Sequence, residues 1–174
     1  MLTIQSSRLI LIPLTYNQLI LSAQNRNLFE QSLGLNPTNM LIDDEFKAEM
    51  NEAMHNFWLP NTQAYPDLYP WYTNWEVVLK STNTSIGGIG FGGYPNDYGE
   101  TSIGYMIDKN HWGNGYATEA LKAVINWGFA FSTLKAVNAD TPAGNTASQR
   151  VLLKAGFKQT HTENMLLYYK ATNN

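Results

Sequence analysis

The chain has 174 residues, 44% of them hydrophobic and 14% charged, which is enough apolar material for one compact domain and leaves little length for a second. Eleven Lys and Arg against fourteen Asp and Glu give a net charge of −3, so no basic field exists to hold a phosphate backbone, and nucleic acid is excluded as a main partner. The absence of cysteine removes disulfide scaffolds, thiol nucleophiles and thiolate zinc sites together. The three histidines, His55, His111 and His161, stand singly without metal-ligand spacing, and no metal is expected.

Residues 8–14 (RLILIPL) read as a first strand, and Thr15 is placed to cap a helix running toward Ser32, closed by Gly34 and Pro37. A second helix is expected over residues 43–58. It has Asp43, Asp44 and Glu45 at its start and Phe46, Met50, Ala53, Met54 and Phe57 mostly three or four apart, and Pro60 is expected to end it. Seven aromatic residues and three prolines share residues 57–75, which read as an irregular loop serving either as core or as a cage for a cation. Core packing is the expectation for Trp75.

From there the pattern changes. Residues 75–79, 86–94 and 101–107 are strand-like runs separated by turn residues, an antiparallel meander. A helix over 115–129 carries Ala117, Leu121, Val124, Ile125 and Gly128 along one side. A strand (134–140), a helix (145–155) and two strands (157–162 and 165–170) complete the chain, with no repeat or linker, so residues 1–174 are expected to form a single domain. No apolar run approaches the roughly 18 residues of a membrane span, and nothing resembles a signal-peptide core; the expectation is a soluble, cytoplasmic protein with no membrane partner.

The passage that carries chemistry runs from Gly104 to Ala120, where a strand passes through a glycine-bearing turn into an amphipathic helix. A helix start exposes N–H groups without internal partners at the positive end of the macrodipole, so donors converge there on an anion. Gly113 and Gly115 keep Cβ atoms out of the way and permit positive φ. The two glycines alone fit a tight turn equally well. A second glycine run, residues 88–93, formally matches a dinucleotide fingerprint, but it leads into a turn and not a helix, so no dinucleotide site is expected there.

The run Trp112-Gly113-Asn114-Gly115-Tyr116-Ala117-Thr118-Glu119-Ala120 resembles the pyrophosphate signature of the GNAT superfamily of acetyl-CoA-dependent N-acetyltransferases. Trp112 stands where most members carry Gln or Arg, as in the branch containing the ribosomal-protein N-terminal acetyltransferases. Asn145-Thr146-Ala147-Ser148, leading to Lys154-Ala155-Gly156-Phe157, is similar to a second block of that branch. The resemblance is close over residues 75–160, looser over 8–32 and nearly unreadable between 35 and 70.

The resemblance implies an α/β domain with a mixed, largely antiparallel sheet splayed at its middle and helices packed on it. It implies transfer of acetyl from acetyl-CoA to a primary amine, of a protein N-terminus or a small molecule, by direct attack. The cosubstrate's pyrophosphate would lie over Gly113, Asn114, Gly115, Tyr116, Ala117 and Thr118, beside Trp112. Its pantetheine arm would meet the backbone near Met106 and Ile107 and the side chain of Asn145, which an ordinary helix cap explains equally well. One N–H of that strand would stabilise the oxyanion.

For the proton transfers, many members carry a Glu where this chain has Ser102. Strand alternation puts Glu100 on the same face, so Glu100 is the expected base, with Glu76 a weaker alternative and a solvated turn residue the plain reading. Leu152 stands where many members have an acidic Tyr, which leaves Ser148 as the expected partner of the departing thiolate. Lys154 fits either a phosphate contact or a solvated helix end. The acidic residues Asp43, Asp44, Glu45, Glu49, Glu52 and Asp67 are compatible with a cationic acceptor. Ser102 and Leu152 also keep open a non-catalytic acyl-CoA-binding or regulatory module of the same fold. The sequence specifies neither the acceptor nor the oligomeric state.

Overall fold

Eight strands form one sheet in the computed structural model, which describes residues 1–173. They are β1 (Ile4–Gln5), β2 (Leu9–Pro13), β3 (Trp75–Leu79), β4 (Thr84–Phe91), β5 (Glu100–Ile107), β6 (Ala136–Pro142), β7 (Lys158–Glu163) and β8 (Leu166–Thr172). Their order is β1-β2-β3-β4-β5-β6-β8-β7, and every neighbouring pair is antiparallel except β5 with β6. The expected meander is β3-β4-β5. Six α-helices cover the sheet: α1 (Tyr16–Gln24), α2 (Arg26–Ser32), α3 (Asp44–Ala53), α4 (Leu59–Ala64), α5 (Tyr116–Phe129) and α6 (Thr146–Lys154). Among the described residues no helix is long and apolar enough to cross a membrane.

Period-two alternation sorts the strands onto two faces. Leu9, Leu11, Trp75, Val77, Ile89, Ile103 and Ile107 pack with Ala120, Leu121, Val124 and Ile125 of α5 and Leu152 of α6 in the main core. On the other side Leu14 and Leu19 pack with Phe29 of α2, and Ile12 and Val78 with Leu35. The glycines of β4 on this second face are steric necessities. A Cβ on Gly90 would stand 2.6 Å from the Thr73 carbonyl oxygen, and one on Gly88 would strike the Asn74 side chain. The run that imitates a nucleotide fingerprint thus lies inside the sheet and along its exit.

Two helical readings are corrected. The helix expected from Thr15 to Ser32 opens on a complete capping box between Thr15 and Gln18, but it breaks at Asn25. That residue is extended (φ −154°, ψ 100°), and its side chain accepts the Leu28 N–H at 3.0 Å to start α2. The second correction is Pro60, which does not end the helix begun at Asp44. Residues Met54–Trp58 form a π turn, and the Leu59 N–H bonds the Met54 carbonyl five residues back. The slipped pattern makes Pro60 part of a new first turn, where its missing N–H costs nothing. A 3₁₀ segment, Pro66–Trp71, follows, so much of the stretch read as a loop is helical. Its aromatic residues are largely core: Trp71 is 2% exposed and Trp75 0%, with the Trp71 ring 4.8 Å from Phe91 and 5.0 Å from Trp127.

The helical break at Asn25 brings Arg26 over the middle of β3. Its Nε donates to Glu30 Oε1 at 2.9 Å and its NH2 to the Glu76 carboxylate, which also accepts the Ser85 hydroxyl. Glu30 in turn accepts the Thr38 N–H at 3.1 Å and the Thr38 hydroxyl at 2.9 Å. Glu30 is 0% and Glu76 2% exposed. Burial acts to lower the Arg26 pKa, but Glu76 and Glu30 raise it past the ordinary value, so the group stays charged. One guanidinium therefore neutralises two enclosed carboxylates. Arg26→Met should leave both without their cation and lower the unfolding free energy by about 3–5 kcal/mol, read from the urea midpoint at unchanged slope.

Candidate active site

β5 and β6 are paired only at Glu100↔Ala136, Thr101↔Val137 and Ser102↔Asn138, although β5 continues to Ile107 and β6 to Pro142. Beyond Ser102 the sheet is open. Hydrogen-bond phase decides which backbone groups face the opening. The Ser102 carbonyl accepts from the Gly92 N–H at 2.8 Å, and the Asp108 N–H donates to the Ile86 carbonyl at 2.8 Å. Because directly opposed residues of an antiparallel pair alternate between bonded and non-bonded, the even-numbered residues of β5 turn toward β4. Tyr105 and Ile107 turn toward the opening. The backbone of Met106, expected to meet the ligand arm, belongs to the β4 ladder. Its side chain instead lines a cavity of about 40 Å3 on the second face, with Arg26, Glu76, Met54 and Trp58. The Ile107 carbonyl is taken by the Trp112 indole N–H at 2.7 Å, which gives Trp112 a bracing role at the strand's end.

The turn after β5 is built to hold its shape. Asp108, 4% exposed, accepts the N–H groups of Asn110 and Leu41, both at 3.0 Å. The Asn114 side chain donates back to the carbonyls of His111 and Trp112 at 3.0 and 3.1 Å. Gly113 (φ +77°) and Gly115 (φ +78°) are both left-handed, a Cβ on Gly113 would meet nothing within 4 Å, and one on Gly115 would meet only the Arg8 guanidinium at 3.6 Å. The backbone conformation, and no packing demand, calls for glycine here, and the space above the turn is free. No side chain caps α5, so its first turn, at Tyr116, Ala117 and Thr118, presents the N–H groups that a helix start leaves without internal partners.

A clamp fixes that first turn to the chain's beginning. The Glu119 carboxylate accepts the Arg8 N–H, the Arg8 Nε and the Ser6 hydroxyl, each at 2.7 Å. Arg8 NH1 also donates to the Asn114 carbonyl at 2.9 Å, and its guanidinium lies 4.5 Å from the Tyr116 ring centroid. Burial pushes the Glu119 carboxyl up, but the hydrogen bonds from Arg8 and Ser6 and the Arg8 charge outweigh it and hold it below the usual carboxylate range. Arg8 and Glu119 escape a reading of the sequence for site residues. Their signal is one charge before an apolar strand and another in the first turn of a helix, and only the pairing of distant elements gives it meaning.

On the far side of the opening, Asn145 caps α6 by accepting the Ser148 N–H at 3.1 Å. The Ser148 Oγ lies 2.9 Å from the Tyr105 hydroxyl, which the sequence reading passed over. Leu152 is 1% exposed in the core. Lys154 ends α6. The Tyr105 and Ile107 edge, the turn through Thr118, Asn145 and Ser148 therefore border one opening. Glu100 stands apart, at the paired end of β5. Its carboxylate accepts Asn138 Nδ2 at 2.8 Å and Lys170 Nζ at 2.9 and 3.1 Å, and those bonds hold it below the usual carboxylate range. Glu76 is locked beneath Arg26.

A splayed sheet opening onto a glycine turn and an uncapped helix agrees with the comparison to known proteins: residues 8–158 match the acetyltransferase (GNAT) domain family. The chain belongs to that family. Among curated GNAT relatives, YoaA of Bacillus subtilis (strain 168), described as an uncharacterised N-acetyltransferase, is 34% identical over 98 residues, 56% of this chain and 55% of the relative. The chain thus spans about half the length of the curated relatives it matches. Solved structures share the fold over nearly the whole chain. The ribosomal-protein-S5-alanine acetyltransferase of Vibrio fischeri superposes with a TM-score of 0.67 at 15% identity, covering 100% of this chain and 98% of its own. RimL, a ribosomal L7/L12 alpha-N-protein acetyltransferase in complex with coenzyme A, gives 0.65 at 16% identity, covering 98% of each.

The GNAT signature therefore includes residues that hold the turn as well as those that face it. Because the Glu119 pKa lies below its unfolded value of about 4.3, the clamp's contribution is complete above that pH and is lost as the pH falls through the lowered value. Glu119→Gln should flatten the acid limb of the stability curve and cost about 1–2 kcal/mol near neutrality, seen as a melting-temperature loss of a few degrees in thermal unfolding between about pH 3 and pH 7.

Proposed function

We propose that the chain transfers the acetyl group of acetyl-CoA to a primary amine. The observation that carries this reading is the open edge at Tyr105 and the Ile107 N–H, which leads through the braced turn to two left-handed glycines and the uncapped start of α5. That edge accepts the amide arm as an added strand. The N–H groups from Gly113 to Thr118 receive the diphosphate, with the Asn114 side chain stiffening the turn from below and Trp112 bracing it. Asn145 adds a polar contact beside the arm. The amine attacks the thioester carbon, an N–H of the β5 edge stabilises the oxyanion, and the C–S bond breaks as the Ser148 hydroxyl bonds the departing sulfur. No metal takes part in these steps.

The acceptor's own proton narrows the choice of amine. Glu100, with both carboxylate oxygens engaged, is a weak proton acceptor, so in this reading the proton leaves to solvent above Ser102 and Gly104, both exposed. An α-amino group, of pKa about 7.7–8.0, is substantially neutral near pH 7.5, whereas a lysine-like amine of pKa about 10.4 is neutral to only about 0.1%. A protein or peptide N-terminus is therefore the preferred acceptor over an alkyl amine. Two fold neighbours named for acetylation of ribosomal proteins support that preference.

A second reading is a non-catalytic acyl-CoA-binding module, favoured by the engaged Glu100 and the buried Leu152. Thiol release with a panel of peptides carrying free α-amines separates the two: the transferase frees CoA, and the module binds acetyl-CoA without freeing it. In either case a hundred dissociation constants of acetyl-CoA should stabilise the fold by about 2.7 kcal/mol. Gly115→Val, which forces a β-branched residue into a left-handed turn and fills the diphosphate seat, should abolish that stabilisation. In the transferase, Glu100→Gln should cost less than about ten-fold in kcat/KM, and the rise of kcat/KM with pH should follow the acceptor's own ammonium.

A further inference from the structure

We propose that Tyr105 is the positioning residue for the Ser148 hydroxyl, holding it so that its hydrogen points into the opening between β5 and β6. The inference rests on the reading that Ser148 bonds the leaving sulfur. The Tyr105 hydroxyl is 2.9 Å from Ser148 Oγ and 3.4 Å from the Ser148 carbonyl oxygen, and the shorter contact is the one at ordinary O–H···O distance. Among the described residues no other side chain hydrogen-bonds the Ser148 hydroxyl, and the Ser148 N–H is committed to Asn145 Oδ1.

A hydroxyl donates one hydrogen and accepts two. When Tyr105 donates to Oγ, the serine hydrogen is released for a third atom. With the direction of that bond reversed, the serine hydrogen is spent on the tyrosine oxygen and Oγ presents only lone pairs to an anion, which would repel a thiolate. Tyr105 can serve as donor because it stays protonated: burial pushes its hydroxyl above the usual tyrosine value, outweighing the opposing bond to Ser148. No net proton transfer is required of it. The arrangement also explains how the chain manages with Leu152 in the core: the phenol comes from the strand and acts through the serine.

The test uses bound CoA and needs no acceptor. A hydroxyl hydrogen on sulfur favours the thiolate, so CoA bound to the unmodified protein should titrate at a lower pH than free CoA, followed by the ultraviolet absorbance of the thiolate. Tyr105→Phe keeps the ring and removes the donor. It should raise the acid dissociation midpoint of bound CoA by about one unit, a ten-fold change of the size expected for one hydrogen bond. Ser148→Ala should raise it by at least as much, and the double variant should match Ser148→Ala alone. If Ser148→Ala shifts the midpoint while Tyr105→Phe leaves it in place, or if the two shifts add in the double variant, Tyr105 does not act through Ser148. If Ser148→Ala leaves the midpoint untouched, the serine reading itself falls, and the role of Tyr105 falls with it.

Discussion

Three residue pairs hold β5 beside β6, and then the two strands part. Backbone N–H and C=O groups inside a sheet are normally satisfied by a neighbouring strand, so a gap in the middle of one is costly unless something fills it. Here the gap is maintained from both sides. β5 is held straight by an unbroken antiparallel register with β4 from Phe91↔Ile103 to Gly87↔Ile107, and β6 is held away by seven pairs with β8. The opening is thus a consequence of two well-made half-sheets that share only a short seam, and every group proposed to face the cosubstrate lies on its border.

The half-sheet carrying β2 to β5 is itself anchored by charge. Arg26 and the carboxylates of Glu30 and Glu76 join α2 to the central strand, and the Thr38 hydrogen bonds to Glu30 tie down the segment that follows. Asp108 reaches the same region by accepting the Leu41 N–H. Residues 37–43, which carry no regular element, are therefore fixed at both ends by buried carboxylates. That arrangement keeps the shape of the second face without regular structure, in the stretch where the family resemblance fades.

What could be read from residues alone follows physical range. Local signals were legible: the Thr15 cap, the apolar stripe of α5, the glycines of the turn and the turn-bounded runs of β3 to β5 all act within a few residues. The break at Asn25 was hidden because apolar spacing continues across it, and Pro60 misled because the proline rule assumes an α-type ladder, which the π turn at Met54–Trp58 abandons. Alternation predicts which face a side chain takes, but not which neighbour a carbonyl seeks. The exchange of Met106 for Tyr105 at the open edge needed the pairing phase with β4. The Arg8–Glu119, Arg26–Glu76 and Tyr105–Ser148 contacts join residues 111, 50 and 43 positions apart, distances over which one sequence is silent.

The link from Ser6 and Arg8 to Glu119 gives the amino end an influence out of proportion to its size. A tag, a trimmed residue or a binding protein that tugs on the segment between the first two strands would act on the glycine turn and the start of α5 through two side chains, beside the packing of Leu2 and Ile4 on the core. Handling of the first eight positions is in effect handling of that turn.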